Sequence, residues 1–292
     1  MNGNAEHAPM NLDVIPLGDL PKGRLSPSAK TTYSVCGEKY RRQYINMERQ
    51  APAVPLMRGS VVHMGFSWAA SEQIRGMRRP AEKVIVEYAD QATGLEVARS
   101  ESESNQKTEW KNGENLITLR ADVRRAVGAY EAQIGKTLRP VESERLFSHR
   151  FDGRPYEISG KLDLYDQMGF VRDIKTVGRR MDENAALHSD ALTIYQKHVE
   201  LTGRVVNGLA LDGIVLKKDS IEIQPLEIAP RTEAQKAECM DEFDKVVQGI
   251  RAGIFVKAND WDNYKACKTC GFLRDCKPEW YAAKKTAVSD GQ

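Results

Sequence analysis

The sequence predicts a mixed α/β protein, and three features of its pattern predict it. Helical stretches fill most of residues 25–139, and three consecutive strands follow between Val141 and Thr176. A helix over about 185–201 is then followed by two more strands and a last helix, the order a crossover between strands of one sheet produces.

Each element has its own warrant. Ser26-Pro27-Ser28 starts a helix, with Ser26 as N-cap and Pro27 at the first position. Tyr33, Cys36, Tyr40 and Tyr44 recur at helical spacing and carry it to about Asn46. Prolines between Ala51 and Pro55 break the chain before a second helix over about 58–75, with Val62, Phe66 and Ala69 on one stripe. Further helices are expected near 80–99 and 114–138, the latter with Leu116, Leu119, Val123, Val127 and Tyr130 on one face. From Pro140 the texture changes. Stretches 141–151, 156–166 and 170–176 read as strands joined by turns at Asp152-Gly153-Arg154 and Gln167-Met168-Gly169. Gly203 closes the helix at 185–201, and strands near 205–217 and 220–228 lead to a helix near 231–250. The expected organisation is a tail over 1–24, one folded unit over 25–280 and a second tail over 281–292. Within that unit, 25–139 is mainly helical, 140–230 forms a sheet core and 231–280 carries a helix and a cysteine segment.

With 41% hydrophobic and 29% charged residues among 292, the composition is that of a soluble globular protein with room for a sizeable core. A net charge of +2 neither demands nor excludes nucleic acid. No apolar run approaches the roughly 20 residues of a membrane span, and Met1 to Gly23 lacks the apolar core of a secretory signal. A cytoplasmic, reducing location without membrane association is expected.

The residues that carry chemistry sit on the second and third strands. Side chains alternate along a strand, so Asp173 and Lys175 of Val171-Arg172-Asp173-Ile174-Lys175-Thr176 point to one face. If the strands pair as a hairpin, Asp163 of Gly160-Lys161-Leu162-Asp163 lies beside them. Two carboxylates and an ammonium then converge, which suits a divalent cation that activates water against a phosphodiester. The plainer alternative is a solvated ion pair of little energetic weight. Arg179 and Arg180 follow directly and are placed at the mouth of the site, where they would hold phosphates. Glu142 or Glu144, on the preceding strand, could approach the cation, but ion pairs with nearby arginines are expected for both.

Five cysteines remain: Cys36, Cys239, Cys267, Cys270 and Cys276. Three thiols within ten residues are better explained by a metal centre than by packing, with Cys36 as the natural remote fourth ligand. Cys239 lies in a charged helix and reads as an inert small residue. Three clustered ligands and one remote suit an iron–sulfur cluster better than zinc, whose structural sites usually show two close pairs.

Together these residues resemble the RecB-like nucleases of the PD-(D/E)XK superfamily. The likeness is greatest to their iron–sulfur subgroup, which includes the AddB nuclease domain and the CRISPR adaptation exonucleases. It covers about residues 25–280 and implies a restriction-endonuclease-like core, a mixed central sheet flanked by helices, with a helical N-terminal region and an iron–sulfur-stapled C-terminus. Arg58-Gly59-Ser60-Val61-Val62-His63 is similar to the Gly-x-x-x-His motif and implies His63 as a metal ligand. Asp163 and Asp173 match the metal-binding acids, and Lys175 matches the lysine of the (D/E)-x-K element. Cys36, Cys267, Cys270 and Cys276 match the ligands of a [4Fe-4S] cluster, with Zn²⁺ as the alternative occupant. Tyr195 matches the tyrosine of Gln-x-x-x-Tyr, whereas Ala191 stands where the glutamine is expected. Gln196, about 100° further round a helix, is poorly placed to replace it. The resemblance implies a Mg²⁺- or Mn²⁺-dependent exonuclease acting on single-stranded DNA or DNA ends, with a separate helicase or recombination protein as partner. A DNA-end-binding or partner-binding module with a compromised site is the alternative that Ala191 suggests.

Overall fold

The computed structural model describes residues 20–111, 113–258, 266–267 and 270–281. Most of the expected tails therefore lie outside the described residues. The first long helix is not continuous. It runs as α1 (Pro27–Val35), stops at Cys36 in an extended conformation, and resumes as α2 (Gly37–Tyr40), which passes into a π turn over Arg41–Ile45. Ser26 caps α1 by accepting from Ala29 N–H, as its sequence signature requires. The break has a packing cause: a Cβ on Gly37 would sit 2.8 Å from the backbone of Phe255, so the chain passes that segment at backbone contact.

Three long helices follow: α3 (Val54–Ile74), α4 (Glu82–Ser104) and α5 (Leu116–Gln133). Strands β2 (Pro140–His149), β3 (Glu157–Asp166) and β4 (Phe170–Val177) form the expected run. α6 (Asp190–Leu201) begins later than expected, because Ser189 caps it by accepting from Leu192 N–H, and 185–189 is turn. β5 (Gly208–Leu216), β6 (Ile221–Ile228), α7 (Glu233–Arg251) and a short α8 (Leu273–Cys276) complete the order. One strand is new. β1 (Arg24–Leu25) is too short for any alternation to announce it.

The result is a mixed central sheet flanked by helices. β2 pairs antiparallel along one edge of β3, from Ile158 to Asp166. The other edge of β3 meets β1 in parallel at Glu157 and Ile158 and β4 antiparallel at Leu164 and Tyr165. Between those contacts β3 and β4 splay apart. β4 pairs in parallel with β5, as a crossover through α6 demands, and β6 closes that side antiparallel.

Two buried clusters share the sheet. Leu25, Tyr40, Tyr156, Ile158, Leu162, Ile194 and Phe243 join β1 and β3 to α6 and α7. Val61, Phe66, Ile85, Val123, Tyr130, Leu164, Ile174 and Ile214 join the sheet to α3, α4 and α5. Fully burying such side chains contributes roughly 1.5–3 kcal/mol each. A buried polar group ties the second cluster down. Asp212 accepts from Tyr130 Oη at 2.8 Å and from Arg172 Nη1 at 3.2 Å. Among the described residues no helix is long and apolar enough to cross a membrane.

Candidate active site

The site forms where β3 and β4 splay. Past their two paired positions the strands are joined by a side chain: Asp163 Oδ2 accepts from Ile174 N–H at 2.9 Å. Asp173 and Lys175 share a face, as alternation requires, and Lys175 Nζ donates to Asp173 Oδ1 at 2.8 Å. Asp173 is 1% exposed, and its Oδ2 is buried without a hydrogen-bond partner. Such an oxygen has a high desolvation cost, which a cation removes.

α3 brings His63 in from the opposite side. Its Nε2 lies 2.7 Å from the Ile174 carbonyl oxygen, which accepts, so Nε2 carries the proton. The neutral ring then turns its Nδ1 lone pair toward two carboxylates, Glu144 Oε1 at 3.4 Å and Asp163 Oδ2 at 3.7 Å. The Ile174 carbonyl is thus engaged by His63. Burial lowers the basicity of His63, but the hydrogen bond to Glu144 and the charges of Asp163 and Glu144 outweigh it, and its pKa is raised. The pocket calls for positive charge at Nδ1, from a proton or a cation.

For Glu144 the expected arginine pairing is not found, and the alternative, an approach to the cation, is the one the geometry favours. Its partners are His63 and Lys161, not an arginine. Its donor atom and those of His63 and Asp163 all lie within 4.8 Å of one another. Glu144 has φ +52°, a left-handed conformation rare inside a strand, yet the pairing on either side of it is in register, Ser143 with Leu164 and Arg145 with Leu162, which leaves it opposite Asp163. Glu142 does pair with an arginine, Arg204, at 2.9 Å.

Asp163, Asp173 and Lys175 floor an open cleft of about 880 Å³, lined also by Arg24, Lys161 and Tyr195, while His63 and Glu144 are not among its lining residues. Gly160 keeps the floor low. A Cβ there would come within 2.5 Å of the Phe147 ring and 3.2 Å of Tyr195. Tyr195 is held on α6 above the carboxylates; burial first, then the charges of Asp173, Asp163 and Glu144, raise its pKa. Burial likewise pushes Asp163 up to about 7, with Asp173 adding to the rise against the opposing charge of His63. Burial opposes the charge on Lys175, yet Asp173 and Asp163 hold its pKa above the ordinary lysine value. Ala191 lines the cleft with no polar group to offer, while Gln196 is buried elsewhere, accepting from Arg231 N–H at 2.7 Å and donating to Glu200 at 2.7 Å. Arg179 and Arg180 are not among the residues lining the cleft; Arg180 pairs with Glu222 on β6. The cations that do line it are Arg24, Lys161 and Lys175.

A second pocket, of about 210 Å³, is lined by Cys36, Cys267, Cys270 and Cys276, with Lys39, Arg42, Lys257 and Lys277 around them. The break between α1 and α2 turns Cys36 into it, and the Cys36 sulfur accepts from the backbone N–H groups of Lys39 and Ala258 at 3.4 and 3.3 Å. Cys239 lies apart, 3.6 Å from Asp190 and pushed up to about 12 by burial.

A profile of the PD-(D/E)XK nuclease superfamily matches residues 24–277, nearly the whole of the described chain. The chain belongs to that superfamily and is a nuclease by family, with its mixed sheet and flanking helices forming the corresponding core. Among solved structures it is similar to one from Eubacterium rectale named as a "putative exonuclease", at 12% identity, covering 94% of this chain and 93% of that one with a TM-score of 0.51, a likeness of fold. The structure of SSO0001 aligns at 15% identity over 88% and 87% of the two chains with a TM-score of 0.38, below the level from which a shared fold is argued. Among curated proteins, none matches the chain.

Proposed function

We propose that this chain is a divalent-metal-dependent deoxyribonuclease, an exonuclease that acts on single strands or DNA ends. The observation that carries the proposal is the convergence of His63 Nδ1, Glu144 and Asp163 within 4.8 Å, beside the unpartnered oxygen of Asp173. All these donors are nitrogen or carboxylate oxygen, a set that fits Mg²⁺ or Mn²⁺. When bound, such an ion polarises the scissile phosphate and lowers the pKa of water. The protein's own groups do the rest. His63, Asp163 and Asp173 hold the ion, and the Ile174 carbonyl fixes the His63 tautomer. Lys175 enters charged, so it orients the attacking water through Asp173 and stabilises the extra charge on phosphorus. Tyr195 contacts the strand from above.

The cysteine pocket is read as the seat of a [4Fe-4S] cluster that staples α1 to the C-terminal segment. Four thiols on one pocket, two backbone N–H donors on Cys36 and a ring of cations suit a cluster of net negative charge. Among the described residues no three of these sulfurs lie within 4.8 Å of one another. Thiolates around tetrahedral zinc would be roughly 3.8 Å apart. Residues 25–280 act as one unit in this reading, in a cytoplasmic setting with any helicase on a separate chain.

Purified protein with end-labelled single and double strands and Mn²⁺ or Mg²⁺ tests the proposal. Asp173→Asn should lower cleavage roughly a hundredfold or more while leaving the circular dichroism unchanged. Cleavage at the wild-type rate by that variant removes Asp173 from the site. Ala191 supports a second reading, a DNA-end-binding module that cuts weakly, since nothing in the cleft supplies the missing amide. Salt-sensitive DNA binding without product under either ion selects it.

A further inference from the structure

Lys161 has no role in the chemistry above, yet it touches it. It stands two residues before Asp163 on β3, so the two side chains share a face, and its Nζ pairs with Glu144 Oε2 while Oε1 faces His63. It lines the cleft, its side chain is 48% exposed, and Lys175 stands across from it at 49%. Around the cation pocket three carboxylates, Glu144, Asp163 and Asp173, face two ammonium groups, with Lys161 on Glu144 and Lys175 on Asp173. With the cleft empty, Lys161 therefore takes up charge that the ion would otherwise balance.

We propose that Lys161 is a shuttling counter-charge, which neutralises Glu144 in the empty cleft and transfers to a phosphate of the incoming strand, so that cation and nucleic acid bind cooperatively. This inference rests on the metal-dependent reading of the same site. The transfer is cheap in one direction and useful in the other. A half-exposed ion pair contributes at most about 1 kcal/mol, so a phosphate can compete for the ammonium. Once Lys161 has left, both oxygens of Glu144 face the cation pocket, where Glu144 is held by a backbone conformation that costs about 1–3 kcal/mol. Linkage then makes the effect reciprocal: whatever the strand adds to ion affinity, the ion adds to strand affinity. Lys161 is a positioning residue in this scheme, acting through Glu144.

The test is Mn²⁺ affinity, read by electron paramagnetic resonance, with and without a short phosphorothioate-protected oligonucleotide. In the wild type the oligonucleotide should tighten Mn²⁺ binding by about fivefold or more. Lys161→Met should bind Mn²⁺ about threefold more tightly than wild type without the oligonucleotide and gain less from adding it. Lys161→Arg should restore the wild-type pattern. In a Glu144→Gln background Lys161→Met should change nothing further, since both act through one contact. Lys161→Met with wild-type affinities in both conditions overturns the inference alone. A wild type that binds no Mn²⁺ overturns the metal-dependent reading and the inference together.

Discussion

Glu144, held in the left-handed region inside a strand, and Asp163, its neighbour across β2 and β3, mark how far single residues can be read from sequence. Asp163, Asp173 and Lys175 were legible from strand alternation, and His63 from its resemblance to the Gly-x-x-x-His motif. Glu144 was less so, because its place opposite Asp163 depends on how β2 registers against β3 rather than on its own strand. The histidine pair behind the cleft was also hidden: His149 Nε2 and His198 Nδ1 are 2.9 Å apart, joined by residues 49 apart in sequence. His198 stacks on Phe147 at 4.1 Å, and Glu142, Arg145 and Arg204 are the charged groups about it. Burial, then His149, lowers the His198 pKa despite Glu142. The sign follows. The unfolded chain binds this proton more readily, so the contribution to stability is present above the ordinary histidine pKa of about 6.5 and is lost as pH falls below it. The melting temperature should fall more between pH 7 and pH 5 for wild type than for His198→Gln. Equal slopes would show that His198 does not titrate with folding.

At the scale of elements, α3 to α7 and the strands β2 to β6 were legible, with boundaries shifted by caps and turns. β1 was not, because two residues carry no period, and the break at Cys36 was not, because its cause is contact with a segment more than 200 residues away. α6 sets the ceiling of the cleft, with Tyr195 buried against Phe147 and Ala191 one turn earlier on the same face. Ala191→Gln would place an amide over Asp173 and Lys175. One added hydrogen bond of about 1 kcal/mol, made in the transition state, should raise the single-turnover rate roughly fivefold. An unchanged rate would mean that the alanine is no handicap.

At the scale of the whole molecule, the cysteine pocket brings α1 and α2 to the segment around α8. The spacing of three cysteines was readable, and Cys36 shares their pocket whereas Cys239 lies apart beside Asp190. Cys36→Ser and Cys276→Ser should each lose iron and visible absorption. They should also lower the melting temperature by roughly 5–10 °C, the shift that a few kcal/mol produces in a chain of this size. Cys239→Ser should do neither. Colourless wild-type protein, prepared without oxygen and containing zinc, would exchange the cluster for zinc.

The splayed strands have one more consequence, for colloidal behaviour. Between Ser159 and Asp163 the outer edge of β3 is unpaired by β1 or β4, a length of about 16 Å that in most sheets would recruit strands from other chains. Here it is sunk in the middle of the sheet and shut at both ends, so a neighbouring protein has no open end from which to add. Arg24–Leu25 is one of the two stops. A chain lacking it should expose that edge and cloud on standing, because the groove between β3 and β4 would then serve as a template for self-association.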